Sequence, residues 1–160
     1  MRFHIDVVNA PGFRRTRNEM TAMILGKPES FKRPGGIRHR YDTQRGLKNE
    51  FVYVLFQLHQ MNNVIPTSFG TDDVEIDATF VFARRNGKIL NDIDNLSKFL
   101  LDCLQLPFPP LEGSSDRISI YNNDNQVVKL SVKKEYGDIP MTRFSVVRHV
   151  IDLTNDDDVE

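Results

Sequence analysis

Hydrophobic and polar positions follow two different periods along this chain. Leu47, Phe51, Val54, Leu55, Leu58 and Met61 recur at the spacing of one helical face, and Asn62, Asn63 and Pro66 end that run. Val74, Ile76, Ala78, Phe80 and Phe82 alternate with Glu75, Asp77, Thr79 and Val81, which predicts a half-buried strand. The helical period returns from about Asp92 to Gln105. Ile93, Leu96, Phe99, Leu100, Cys103 and Leu104 make its apolar face, while Asp94, Lys98 and Asp102 share a polar stripe.

The remaining segments are less periodic. Phe3 to Val8 predicts a first strand that Pro11-Gly12 ends. Residues 13–45 predict a long basic loop, with a short helix over Asn18 to Leu25. Arg117 to Tyr121 and Gln126 to Tyr136 predict a closing hairpin, after which the pattern decays from Gly137. The order is β-α-β-α-β-β. It predicts a mixed α/β (α+β) domain over residues 1–149, a small mixed sheet with two main helices packed on it.

Composition narrows the class. At 160 residues, 39% hydrophobic and 27% charged, the chain is an ordinary globular domain. No apolar run approaches the roughly 20 residues of a membrane-spanning helix, and no secretory leader is expected. Cys103 stands alone on an apolar face, so an intracellular, reducing setting is expected, cytoplasm or nucleus. Charge is uneven. The net value is −1, yet residues 151–160 carry five acids and no base, which leaves +4 on residues 1–150. The first 50 residues hold eleven Lys/Arg against five Asp/Glu. A basic body with an acidic tail predicts a polyanionic partner.

The candidate chemistry lies at the second helix. Asp92 and Asp94 flank its start, Lys98 follows one turn later, and Asp124 sits in an Asn-rich turn before a strand. Carboxylates at a helix start also serve as caps, Asp is common in turns for conformational reasons, and a lysine four residues from an acid is an ordinary surface pair. Together, three acids and a lysine suit a hard divalent cation and a phosphoryl substrate. Asp102 is either a helix-surface partner of Lys98 or a support for the site.

The pattern Asp92-x-Asp94-Asn95-x-x-Lys98, followed by Leu101-Asp102-Cys103-Leu104 and then Asp124-Asn125-Gln126-Val127-Val128, resembles the RusA-type family of Holliday junction resolvases. The resemblance is strong from Leu90 to Lys134. It implies a homodimeric, metal-dependent endonuclease that resolves four-way DNA junctions by paired symmetric nicks. Asp92, Asp94 and Asp124 would hold Mg²⁺ or Mn²⁺, with Lys98 as a further catalytic residue. Family members carry a proline-rich, asparagine-containing segment after the first strand, and only Asn9-Ala10-Pro11-Gly12 corresponds to it here. The alternatives are a non-catalytic junction-binding adaptor and a less selective nuclease for flaps or forks.

Arg14, Arg15, Arg17, Lys32, Arg33, Arg38, Arg40, Arg84, Arg85 and Lys88 are the expected DNA-phosphate contacts, with Phe13, Phe31 and Tyr41 interleaved as platforms for exposed bases. A solvated basic surface is the simpler alternative. Val150 to Leu153 followed by Asp156 to Asp158 resembles a SUMO-interacting strand, or else is an acidic tail that aids solubility. No histidine pair has zinc-ligand spacing.

Overall fold

The structure is a computed structural model, described here for residues 1–6, 12–32, 44–84 and 91–149. It contains β1 (Phe13–Arg15), β2 (Glu19–Leu25), α1 (Arg45–Met61), β3 (Val74–Ala83), α2 (Ile93–Gln105), a short 3₁₀ turn (Asp124–Gln126), β4 (Val127–Gly137) and β5 (Met141–Arg148). The strands form one mixed sheet in the order β1-β2-β5-β3-β4. Among the described strands only β3 and β4 are parallel, and α2 connects them. No described helix is long and apolar enough to cross a membrane.

The mixed α/β class, the two main helices and strands β3 and β4 agree with the sequence. Four elements do not. Asn18 to Leu25 is not helical: Met20, Ala22 and Ile24 point into the core as β2, paired on both sides. Glu, Met, Ala and Leu favour a helix in isolation, but the sheet overrides that preference. The described part of the expected first strand makes a single bridge, His4 to Leu25, and residues 7–11 lie outside the described residues. Arg117 to Tyr121 is an extended connection, not a hairpin strand. It is held by hydrogen bonds from Phe108 N to Ile118 O and from Phe69 N to Ile120 O. Met141–Arg148, expected to be irregular, is the central strand, and Thr142, Phe144 and Val146 alternate into the core.

Both helices cover one face of the sheet. Phe3, Phe51 and Phe99 meet in the middle, with Phe3 edge-on to Phe51 at 5.3 Å and Phe51 edge-on to Phe99 at 6.4 Å. Each such buried ring contributes about 1.5–3 kcal/mol. Cys103 is buried in the same core. Gly26 follows β2 with φ +119°, and a Cβ there would stand 2.1 Å from Arg2 O. Only glycine allows this crossing, which turns the chain from β2 onto the start of α2.

Candidate active site

The sheet register defines two ends of the molecule. Leu25, Met141 and Val81 share one end, and Glu19, Val147, Val74 and Val127 are near the other. Because α2 returns from the end of β3 to the start of β4, its N-terminus lies at the first end and its C-terminus at the second.

At the first end Asp92 is the N-cap, and its Oδ1 accepts from Asp94 N at 2.8 Å. Asp92 therefore caps the helix. The second carboxylate oxygen takes no part in the cap, and Asp94 is exposed. Lys98, one turn on, holds its Nζ 3.9 Å from the centroid of Phe31. The segment carrying Phe31 is fastened to α2 and α1. Phe31 N donates to Asn95 O (2.8 Å), and Asn91 Nδ2 donates to Ser30 Oγ (2.9 Å). The buried Gln44 side chain spans Ser30 O and Lys32 N at 2.7 and 2.9 Å. Glu29, 6% exposed, pairs with Arg2 at 2.7 Å. Lys134 of β4 donates to Asn91 O.

At the second end Asp124 opens the 3₁₀ turn. Its Oδ1 accepts from Gln105 Nε2 at 2.7 Å and lies 3.1 Å from the Tyr121 hydroxyl. Tyr121 is fully buried, and burial together with the adjacent Asp124 charge pushes its phenol well above the usual range. The hydroxyl therefore stays protonated and can donate. Gln126 fixes the turn. Its Oε1 accepts from Asn122 N and Asn123 N, and its Nε2 donates to Gly70 O and Asp72 O, all at 2.8–2.9 Å. All four hydrogen-bonding positions of this buried amide are thus satisfied.

The sequence placed the three acids in one site, but one chain does not gather them. Asp94 and Gln105 are eleven residues apart on one helix, about 16 Å at about 1.5 Å per residue. No group of three His, Cys, Asp or Glu side chains is close enough to hold a metal among the described residues. The donor chemistry still fits a hard cation: two carboxylates at one end, and at the other a carboxylate whose second oxygen takes no part in the Tyr121 and Gln105 contacts. Asp102 pairs across to Lys48 of α1 at 3.2 Å, which ties the two helices together.

The candidate DNA contacts divide between the ends. Lys32 and Arg84 are exposed near the first, and Arg14 and Arg17 are exposed near the second. Arg15 is turned inward. Its guanidinium stacks 4.1 Å over Phe69, with Arg148 over the same ring at 5.2 Å. Burial, then the Arg148 charge, lowers the Arg15 pKa. Arg15 also donates to Thr16 O at 2.6 Å, so it serves the fold before any phosphate. Phe13 is buried against His59 at 4.5 Å and offers no surface to a base. Arg33, Arg38, Arg40, Tyr41, Arg85, Lys88 and the Val150–Leu153 tail lie outside the described residues.

Sequence reasoning missed Tyr121, Gln105 and Gln44. Gln126 belongs to the Asp124-Asn125-Gln126-Val127 run, but its fourfold anchoring is a tertiary fact. The segment that meets the start of α2 is Gly26 to Lys32 after β2. Asn9 to Pro11, which correspond to the family's proline-containing segment, lie outside the described residues. No curated protein matches the chain. The family model described as endodeoxyribonuclease RusA, however, matches residues 30–146, from the segment carrying Phe31 through both ends of α2 to the central strand. The chain belongs to the RusA endodeoxyribonuclease family.

Proposed function

We propose that the chain is a divalent-metal-dependent endonuclease that cuts four-way DNA junctions as a homodimer. Each active centre takes Asp92, Asp94 and Lys98 from one protomer and Asp124 from the other. The observation that carries this reading is the separation of the acids along α2. A full three-carboxylate set needs both ends of the helix, and one chain cannot supply both at one point. If the exposed faces of two α2 helices meet antiparallel about a twofold axis, the N-terminus of each lies beside the C-terminus of the other. Two equivalent centres result, as two symmetric nicks require.

The surface next to α2 suits such a contact. Leu130 lies on the helix side of the sheet, in register with the core residue Ile76, yet is 40% exposed, and Val128 beside it is 49% exposed. Mg²⁺ or Mn²⁺ held by the acids would supply a bound water of lowered pKa and stabilise the attacking and leaving oxygens. The lysine ammonium at position 98 offsets negative charge that grows on the phosphoryl oxygens. Tyr121 and Gln105 hold Asp124 Oδ1 and so aim the other oxygen outward.

Mixing two inactive variants tests the composite centre. Asp94→Asn and Asp124→Asn are each expected to abolish junction nicking with Mg²⁺. After unfolding and refolding together, half the dimers are mixed, and each mixed dimer has one centre with all its carboxylates. Nicking should return to about one quarter of the wild-type level, as single nicks. No return on mixing would put each centre within one chain. Mg²⁺-independent binding without nicking by the wild type would favour the junction-binding adaptor.

A further inference from the structure

One aromatic ring touches the proposed catalytic lysine. The Phe31 face lies 3.9 Å from Lys98 Nζ and 5.7 Å from Lys48 Nζ. The ring is a fixed object. Its own amide is bonded to Asn95 O, and the residues on either side are clamped by Gln44. Ser30 is tied again through Asn91. Lys98 is the opposite: an exposed side chain on a helix surface, with four rotatable bonds. Lys48 is buried and already tied to Asp102 at 3.2 Å. Of the two ammonium groups, Lys98 is therefore the one whose position depends on the ring. A cation over an aromatic face gains electrostatic attraction, and the gain grows as water is excluded.

We propose that Phe31 is a positioning residue for Lys98, its ring face holding the ammonium at the N-terminal end of α2 in the place where phosphoryl charge develops. This rests on the catalytic role of Lys98 given above. It replaces the expectation that Phe31 stacks on an exposed base. A lysine held before substrate arrives loses less freedom in the transition state, so the effect belongs in kcat and not in KM.

The test uses the full-length protein with a labelled four-way junction at saturating Mg²⁺. It compares wild type, Lys98→Ala, Phe31→Leu, Phe31→Trp and the Phe31→Leu/Lys98→Ala double variant. Phe31→Leu keeps an apolar side chain and removes the ring face. It should lower kcat about tenfold and leave KM within about twofold. Phe31→Trp should keep most of the activity. In the Lys98→Ala background, Phe31→Leu should cost nothing further. A readout independent of turnover is the NMR shift of the Lys98 ε-methylene protons. Ring current should move them upfield in wild type and Phe31→Trp, and Phe31→Leu should remove that shift.

Several results overturn the proposal. One is an unshifted Lys98 ε-methylene in the wild type. Another is an effect of Phe31→Leu confined to KM, which makes the ring a DNA contact. Full additivity with Lys98→Ala also rules it out. If Lys98→Ala lowers kcat while Phe31→Leu does not, this proposal alone fails. If Lys98→Ala retains full turnover, the catalytic reading of Lys98 fails and takes the proposal with it.

Discussion

The two ends of α2 carry the candidate site residues on opposite constructions. At the N-terminal end the acids are exposed. Asp92 is held by its own cap, and Lys98 leans on a ring supplied by another segment. At the C-terminal end Asp124 is gripped by Tyr121 and Gln105, on a turn that Gln126 secures with four hydrogen bonds. At the first end only the acids' own support is local, a capped helix start, while the ring segment beside them is fastened to α2 from far along the chain. The second is made by contacts spanning more than fifty residues and is rigid before anything binds. In the proposed dimer, pairing a pre-set carboxylate with an adaptable pair would let a cation be gripped without demanding that two separate surfaces match perfectly on first contact.

The sharpest way to break this comparison is to remove charge at each end. Asp92→Asn, Asp94→Asn and Asp124→Asn should each abolish nicking, about 10³-fold or more, because a lost ligand removes the metal's contribution whichever end it came from. Junction binding, read by gel shift in Ca²⁺ or EDTA, should persist or tighten, since a negative charge facing phosphate is gone. Near-normal cleavage by any one variant would take that residue out of the centre.

Tyr121→Phe sharpens the contrast because it affects only the rigid end. It removes the hydroxyl that meets Asp124 Oδ1 and keeps the buried ring. Loss of a partner that orients a ligand costs about 10–100-fold in metal affinity. The Mg²⁺ concentration for half-maximal nicking should therefore rise by about tenfold or more, while kcat at saturating Mg²⁺ changes little. An unchanged Mg²⁺ midpoint would mean that Asp124 needs no holding.

Much of this contrast was legible in the sequence, and the rest was hidden for physical reasons. The α2 face, its cap and its polar stripe were readable because helix geometry fixes which residues share a side. The alternation of β3 was readable for the same reason. The rigid end was not, since nothing local links Gln126 to Gly70 or Tyr121 to Leu101. The separation of Asp124 from Asp94 was hidden too: adjacency in a motif does not give distance in a fold. β5 is a different case. Thr142, Phe144 and Val146 alternate plainly with Arg143, Ser145 and Val147. The signal is in the sequence, but Gly137-Asp138-Ile139-Pro140 interrupts the alternation just before it.

Salt dependence tests whether DNA runs past both ends. Arg14 and Arg17 are exposed at the Asp124 end, Lys32 and Arg84 at the Asp92 end. Neutralising Arg14 and Arg17 with Gln should lower the log–log salt slope of duplex-arm binding by about 0.9 per lost contact, with the fold intact. Lys32 and Arg84 should do the same if the path is continuous. Arg15→Gln should instead lower thermal stability, because its guanidinium is built against Phe69 and backbone carbonyls. A slope unchanged by all four exposed substitutions would place the DNA elsewhere.

The smallest expected effect concerns pH, and it acts on the rigid half. His59 is fully buried near the C-terminus of α1, between the rings of Phe13 and Phe108. Its Nδ1 lies 2.8 Å from Leu55 O, and Nε2 has no hydrogen-bond partner among the described residues. Nδ1 must donate to that carbonyl, so the neutral ring is the form the core accepts. Burial lowers the pKa of His59 below the usual histidine value, and the nearby Arg15 charge lowers it further. The unfolded chain therefore binds this proton at a higher pH than the folded one. Stability is complete above the ordinary histidine range and falls as pH drops through it, by at most about 1.4 kcal/mol per pH unit for one proton. The unfolding midpoint should decline between about pH 7.5 and 5.5, and His59→Leu should flatten that decline. Amide exchange should speed up first around Phe13, His59 and Phe108, and only later around Asp94 and Asn95. A midpoint equally steep in His59→Leu would assign the titration to another group and leave the two ends of α2 equally sensitive to acid.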